Sequence, residues 1–310
     1  MTRFSGIGMP VTAITLVCNP DAEALSDAIV DEAMHRLLEF ADGAEIRRRT
    51  LAEEIAEDFL VEAALSRTAA EALFADILSD ALADVIVQPA AHRRKRLLIA
   101  DMDSTIIGQE CIDELADFAG LKPRIAAITE RAMRGELDFE TALKERVAML
   151  KGLAESALEE CFRTRIRLNP GAETLVRTMN EAGATTVLVS GGFTYFVSRV
   201  ARLAGFRHFE ANELLIENGA LAGAVRPPIV GRAAKAAALR QYAADRSIPL
   251  AETMAVGDGA NDLDMLAAAG LGVAYCAKPK VADAAPASIR HSDLTALLYA
   301  QGLTCAEFAI

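Results

Sequence analysis

Cysteine, positive charge and long apolar runs are all in short supply in this 310-residue chain. Its five cysteines, at 18, 111, 161, 276 and 305, are odd in number and form neither a Cys-x-x-Cys pair nor any other zinc spacing. A disulfide scaffold and a zinc module are set aside, and a reducing cytoplasmic compartment is expected. Lys and Arg total 32 against 44 Asp and Glu, a formal balance of −12. Such a surface repels phosphate backbones and anionic lipid, so neither a nucleic-acid nor a membrane partner is expected. The one basic run, His92-Arg93-Arg94-Lys95-Arg96, is too short to override this and reads as a solvated linker ahead of a strand. Apolar stretches such as Leu97-Leu98-Ile99-Ala100 stop far short of the ~18–20 residues a membrane span needs. The N-terminus carries Arg3 and a short apolar stretch but no ordered signal-peptide pattern.

What is present is core-forming material: 52% of the residues are hydrophobic. At roughly 150 residues per domain the length predicts about two globular units. From Ala13 to Val87 the periodicity reads strand, helix, strand, strand, helix, strand, with a turn at Asp42-Gly43, the order of an α+β ferredoxin-like unit over residues 1–90. Fold alone assigns it no ligand. Residues 91–310 read differently. Leu97–Ala100 is a buried-type strand, a helical stretch runs to about Arg167, and strands then alternate with helices around Thr185–Val189, Thr253–Val256 and Gly272–Cys276. Asn218-Gly219 marks a hairpin. Alternation of this kind predicts an α/β doubly wound parallel sheet, Rossmann-like, with chemistry outside the carboxyl ends of the strands.

Three predicted strands end in residues that packing does not call for. The first runs into Asp101-Met102-Asp103-Ser104-Thr105. Two carboxylates that close raise one another's pKa and are at ease only with a cation or a shared proton. In isolation such a pair also suits a turn or a helix cap. The second ends in Ser190-Gly191-Gly192, a turn whose amides and hydroxyl suit an anion. The third ends in Gly257-Asp258-Gly259-Ala260-Asn261-Asp262. Taken together, carboxylates from two strand ends and donors from a third describe a hard cation facing a phosphate, with Lys235 as a candidate positive charge. Alone, Lys235 reads as a solvated helix lysine.

In this order the four pieces resemble the motifs of the haloacid dehalogenase (HAD) superfamily of aspartate-nucleophile phosphatases, and within it the phosphoserine phosphatase family. Glu110-Cys111-Ile112-Asp113-Glu114, Met133-Arg134-Gly135-Glu136-Leu137-Asp138-Phe139, Arg146-Val147 and Ala274-Tyr275-Cys276-Ala277-Lys278-Pro279 extend the resemblance, which covers about Arg96 to Leu298. Residues 1–90 resemble only loosely the ACT-like modules that precede some members. The resemblance implies a HAD-like domain over 91–310 with a helical cap at about 107–167, and hydrolysis of O-phospho-L-serine as the last step of serine biosynthesis. It implies Asp101 as nucleophile, Asp103 as general acid and base, and Mg2+ held by Asp101, the Asp103 carbonyl and Asp258. Ser190, Gly191, Lys235 and Asn261 would hold the phosphoryl group and Asp262 would support them. Glu110 and Arg146 would take the substrate's ammonium and carboxylate, and Phe139 and Met133 would sit in the lid. Another phosphomonoester, transfer to an alcohol such as homoserine, or a sensing protein with a vestigial enzyme stay open as alternatives, as does a homodimer. Because every motif lies after Arg96, residues 1–90 are expected to be dispensable for the chemistry.

Overall fold

Alternating apolar residues near the N-terminus build the first of two sheets. In the computed structural model, which describes residues 10–21, 24–133 and 136–309, strands β1 (Thr12–Cys18), β2 (Ile46–Ala52), β3 (Ala56–Val61) and β4 (Ala83–Pro89) form it in the order β2-β3-β1-β4. All its pairings are antiparallel. Helix Asp27–Ala41 ends with Asp42 in the left-handed region, φ 39°, followed by Gly43 at φ 88°, at the predicted turn. The second predicted helix is two, Arg67–Leu73 and Ala75–Ala81, parted at the buried Phe74. The order is ferredoxin-like.

The second sheet holds β5 (Leu97–Ala100), β6 (Thr185–Phe193), β7 (His208–Glu217), β8 (Ala220–Arg226), β9 (Thr253–Gly257), β10 (Leu271–Tyr275) and β11 (Ala287–Ile289), in the order β11-β10-β9-β5-β6-β7-β8. Every neighbouring pair is parallel except β7 with β8. Central strands of such a sheet are covered on both faces and so read as continuous apolar runs. In β5, Leu98 and Ala100 enter one core while Leu97 and Ile99 enter another on the opposite face. The β7–β8 hairpin turns at Asn218 and Gly219, φ 53° and 77°, the positive angles an Asn-Gly turn supplies cheaply. β5 lies between β6 and β9, where the chain order reverses, so the carboxyl ends of these three strands share one crevice. Over it stand helices Cys111–Phe118, Lys122–Met133, Phe139–Met149 and Ser156–Arg165, inserted between β5 and β6. The insert rests on the hairpin through Gly152 N to Leu221 O (2.8 Å) and Leu221 N to Leu153 O (2.9 Å).

The N-terminal sheet buries both faces. Ile14, Leu16 and Phe59 pack on its own helices, whereas Val17, Leu51, Ala52, Ala56 and Ile86 join the core of the second unit. The basic run between the sheets differs from the solvated linker expected. Arg93 clamps Asp58 with two 2.8 Å bonds, and Lys95 is 7% exposed with Nζ on the Ala251 carbonyl at 2.9 Å. Only His92, Arg94 and Arg96 face solvent. The cause is tertiary: Asp58 on β3 supplies a buried partner that local sequence does not reveal. Among the described residues no helix is long and apolar enough to cross a membrane.

Candidate active site

Asp101 continues the β5 ladder by one residue, its N–H donating to the Val256 carbonyl at 2.9 Å. The chain then makes a wide turn, closed by Ile107 N on Met102 O (3.0 Å), with Ser104 in the left-handed region at φ 53°. Asp101 Oδ1 accepts from Met102 N (2.7 Å) and Oδ2 meets Lys235 Nζ at 2.6 Å. Lys235, on helix Arg232–Asp245, is 1% exposed and also holds Asp262 Oδ1 at 2.7 Å. Far from a solvated helix lysine, it is a buried cation between two carboxylates. The other oxygen of Asp262 takes the Gly259 amide (3.0 Å), which folds the loop after β9. Asp258, on that loop, accepts from the Thr105 hydroxyl at 3.2 Å.

One carboxylate oxygen each of Asp101, Asp258 and Asp262 lie within 4.8 Å of one another, and a single ammonium, Lys235, bonds two of the three, Asp101 and Asp262. Burial alone would lower Lys235, but Asp101 and Asp262 outweigh it and raise its pKa, so the lysine stays charged. Asp101 is pushed well above the usual carboxylate range by burial and by Asp262, against the pull of Lys235. Asp258 rises to about 6, through burial, Asp262 and Glu110. A cluster of hard oxygen donors that remains short of positive charge fits a divalent cation such as Mg2+. All three carboxylates offer an oxygen to such an ion; both oxygens of Asp101 and of Asp262 already hold hydrogen-bond donors, while Asp258 is engaged through one oxygen, by Thr105.

The carboxylate of Asp103 stands apart from this cluster. Its Oδ1 accepts from Cys111 N at 3.1 Å, and a Cβ at Gly192 would lie 2.9 Å from its Oδ2, so a side chain there would displace it. Burial, then the charge of Glu110, push its pKa up to about 7, while the Cys111 amide and Lys235 pull the other way. A carboxyl poised there can both give and take a proton near neutrality.

β6 carries Ser190 and Gly191 to the same crevice. Ser190 is 1% exposed and its Oγ accepts from Gly192 N at 2.9 Å. Cβ atoms built at Gly191 and Gly231 would stand 2.8 and 3.2 Å from the Phe139 ring. A side chain at 191 would push that ring, from the first turn of a cap helix, off the backbone, and one at 231 would crowd it. Asn261 is half-buried, its side-chain oxygen lying over Gly259 on the Asp258 loop.

On the cap side Glu110 accepts from the Ser104 hydroxyl at 2.7 Å, and Arg146 Nε donates to Ala142 O at 3.2 Å within its own helix. Burial holds the Arg146 pKa below its ordinary value, and the negative charges of Asp113, Glu110 and Asp103 offset this only in part. Asp113 carries no role of its own in the sequence motifs. Its place one helical turn beyond Glu110 was the available signal that it shares Glu110's face. Phe139 occupies the expected lid position; Arg134, Gly135 and the Met133 side chain lie outside the described residues.

Residues 98–267 match the family model for haloacid dehalogenase-like hydrolases. This chain belongs to that family. It is 45% identical over 252 residues to a phosphoserine phosphatase of Streptomyces coelicolor, covering 80% of this chain and 61% of the relative. With a phosphoserine phosphatase of Streptococcus thermophilus it shares 48% identity over 200 residues, 64% of this chain and 93% of the relative. A crystal structure of a probable phosphoserine phosphatase from Vibrio cholerae superposes with TM-score 0.74 at 31% identity, over 96% of this chain and 88% of that one. Within the hydrolases, then, the chain sits in the phosphoserine phosphatase family, although it spans only about three fifths of the Streptomyces relative's length.

Proposed function

We propose that the protein is a cytoplasmic, Mg2+-dependent phosphatase that hydrolyses O-phospho-L-serine to L-serine and phosphate through an aspartyl-phosphate. The observation that carries this is the buried chain Asp101–Lys235–Asp262, at 2.6 and 2.7 Å, at the carboxyl end of β5. Asp101, the Asp103 carbonyl and Asp258 would hold Mg2+, which would supply charge neutralisation at the phosphoryl oxygens.

The Asp101 carboxylate attacks phosphorus in line, forming one P–O bond as the bond to the serine oxygen breaks. Asp103 gives its proton to that departing oxygen. In the second step Asp103 takes a proton from the water that attacks phosphorus, which breaks the bond to Asp101 and frees phosphate. Ser190, the Gly191 amide, Lys235 and Asn261 hold the phosphoryl oxygens, and Asp262 orients Lys235. Preset donors of this kind need no reorganisation as charge moves. Glu110 takes the substrate ammonium. Arg146, whose planar fork can meet both oxygens, takes its carboxylate.

Phosphate release from L-phosphoserine, with D-phosphoserine and phosphothreonine as comparators, tests the reading in Mg2+ and in chelator. L-Phosphoserine is expected to be turned over fastest, with loss in EDTA and recovery in Mg2+. Equal rates on all three substrates, undiminished activity in chelator, or transfer to an added alcohol in preference to water would overturn the corresponding part.

A further inference from the structure

We propose that Asn212, on β7, is the positioning residue that sets the two halves of the phosphoryl-binding site against each other. The inference rests on the reading of Ser190, Gly191 and Lys235 given above. It begins with an irregularity in the sheet. β6 and β7 pair in register up to Val189 with Glu210 and again at Phe193 with Asn212. Three residues of β6 thus stand opposite one of β7, and those three are Ser190, Gly191 and Gly192. A bulge of this kind aims backbone at a site but takes its carbonyls out of the ladder.

The Asn212 side chain makes good that loss. Its Nδ2 donates to the Gly191 carbonyl at 2.8 Å and to the Val230 carbonyl at 3.2 Å, while its Oδ1 accepts from Val230 N at 2.7 Å. Asn212 is 1% exposed, so its own side-chain amide has no water to fall back on. The Asn212 carbonyl in turn accepts from the Thr194 hydroxyl at 3.0 Å, which fixes the chain just after the bulge. Val230 precedes Gly231, and the Gly231 carbonyl accepts from the N–H of Lys235 at 3.2 Å. One amide therefore ties the Ser190–Gly191 turn to the entrance of the helix that presents Lys235. The same seam, Gly191 beside Gly231, is the floor on which the Phe139 ring of the cap rests.

No other residue type at position 212 satisfies this pattern at that length. Asp keeps the acceptor for Val230 N but sets a carboxylate against two carbonyls. Ser is too short to reach both segments. In either case the turn and the helix lose their shared reference, and displacement of such groups by about 1 Å costs on the order of 10²-fold in rate.

The test compares Asn212→Asp and Asn212→Ser with Asn180→Ala. Asn180, in helix Ala172–Glu181, also makes side-chain bonds, to Gly205 O at 2.7 Å and from the Thr186 hydroxyl at 2.9 Å near the start of β6, away from Ser190–Gly192. The readouts are the affinity of the Mg2+-loaded protein for inorganic phosphate by calorimetry, and kcat and KM on L-phosphoserine and an aryl phosphate. Both Asn212 variants are expected to bind phosphate about 10- to 100-fold more weakly, with equal proportional losses on the two substrates. Asn180→Ala is expected to lose stability alone. If the Asp variant does not fold, the Ser variant decides. A folded Asn212 variant with wild-type phosphate affinity overturns the proposal, as does an equal loss of affinity in Asn180→Ala. If the unaltered protein binds phosphate but hydrolyses neither substrate, the functional reading fails while the calorimetric comparison still judges Asn212.

Discussion

Replacing Asp84 by Ala probes whether the N-terminal unit is an appendage or part of the fold. Asp84, on β4, is 5% exposed, and its carboxylate accepts three successive backbone N–H groups of the other unit: Arg290 at 2.8 Å, His291 at 3.1 Å and Ser292 at 2.8 Å. Ser292 is 4% exposed and also donates its hydroxyl to the Val17 carbonyl at 3.0 Å. Once Asp84 is gone, the Ser292 N–H has no substitute partner and bears the full cost of an unsatisfied buried donor, about 1–3 kcal/mol. Arg290 and His291 are exposed, so water takes over there and each forfeits only about 0.5–1 kcal/mol. The sum is about 2–5 kcal/mol. For a chain of this size, at about 1.5 °C per kcal/mol, that corresponds to a fall of roughly 3–8 °C in unfolding midpoint. Thermal unfolding by circular dichroism reads the shift, and steady-state turnover at low temperature is the control, because residues 290–292 follow β11, two strands away from β9 and Asp258. A midpoint within about 2 °C of wild type would show that this contact couples the two units only weakly. The packing of Val17, Leu51 and Ile86 into the catalytic core argues for the larger shift.

Asp103→Asn is expected to lower turnover by ~10²–10⁴-fold in a protein of unchanged unfolding midpoint; a loss under about tenfold would remove the residue from proton transfer. Arg146→Ala is expected to cost about 2–5 kcal/mol, or 30- to several-thousand-fold in kcat/KM, on L-phosphoserine and much less on an aryl phosphate. Arg146→Lys should recover only part of this, and equal losses on both substrates would make Arg146 a cap support instead. Lys95→Met is expected to stabilise the protein at pH 7. Burial, and then Arg93, lower the Lys95 pKa to about 8, so the unfolded chain holds that proton more tightly and the folded state bears the penalty fully below pH 8. Urea unfolding should show the variant's advantage shrinking from pH 8 to about 10.5, where lysine is neutral in both states; an advantage independent of pH would refute the assignment.

Much of the architecture was legible because it is local. Apolar runs such as Leu97–Ala100 and Thr253–Val256 report burial on both faces, Asn218-Gly219 reports its turn, and each strand's last residue hands the chain to the crevice, so Asp101, Ser190 and Asp258 announced themselves by position and type. What local sequence does not contain is the partner across space. Asp58 and Asp84 look like any strand acids until Arg93 and the amides of 290–292 arrive from elsewhere in the chain. Asp262 reads as a supporting residue, yet only the meeting of β9 with helix Arg232–Asp245 places it on Lys235. Asn212 looks like an interruption in a strand, and its meaning depends on a bulge in the neighbouring strand and on a segment 18 residues further along. Periodicity and turn chemistry act between residues a few positions apart and survive in the sequence as pattern. Burial of a polar group is satisfied by whatever the packed chain brings within hydrogen-bond reach, and that was decided only when the two sheets, the cap and the hairpin closed around the crevice.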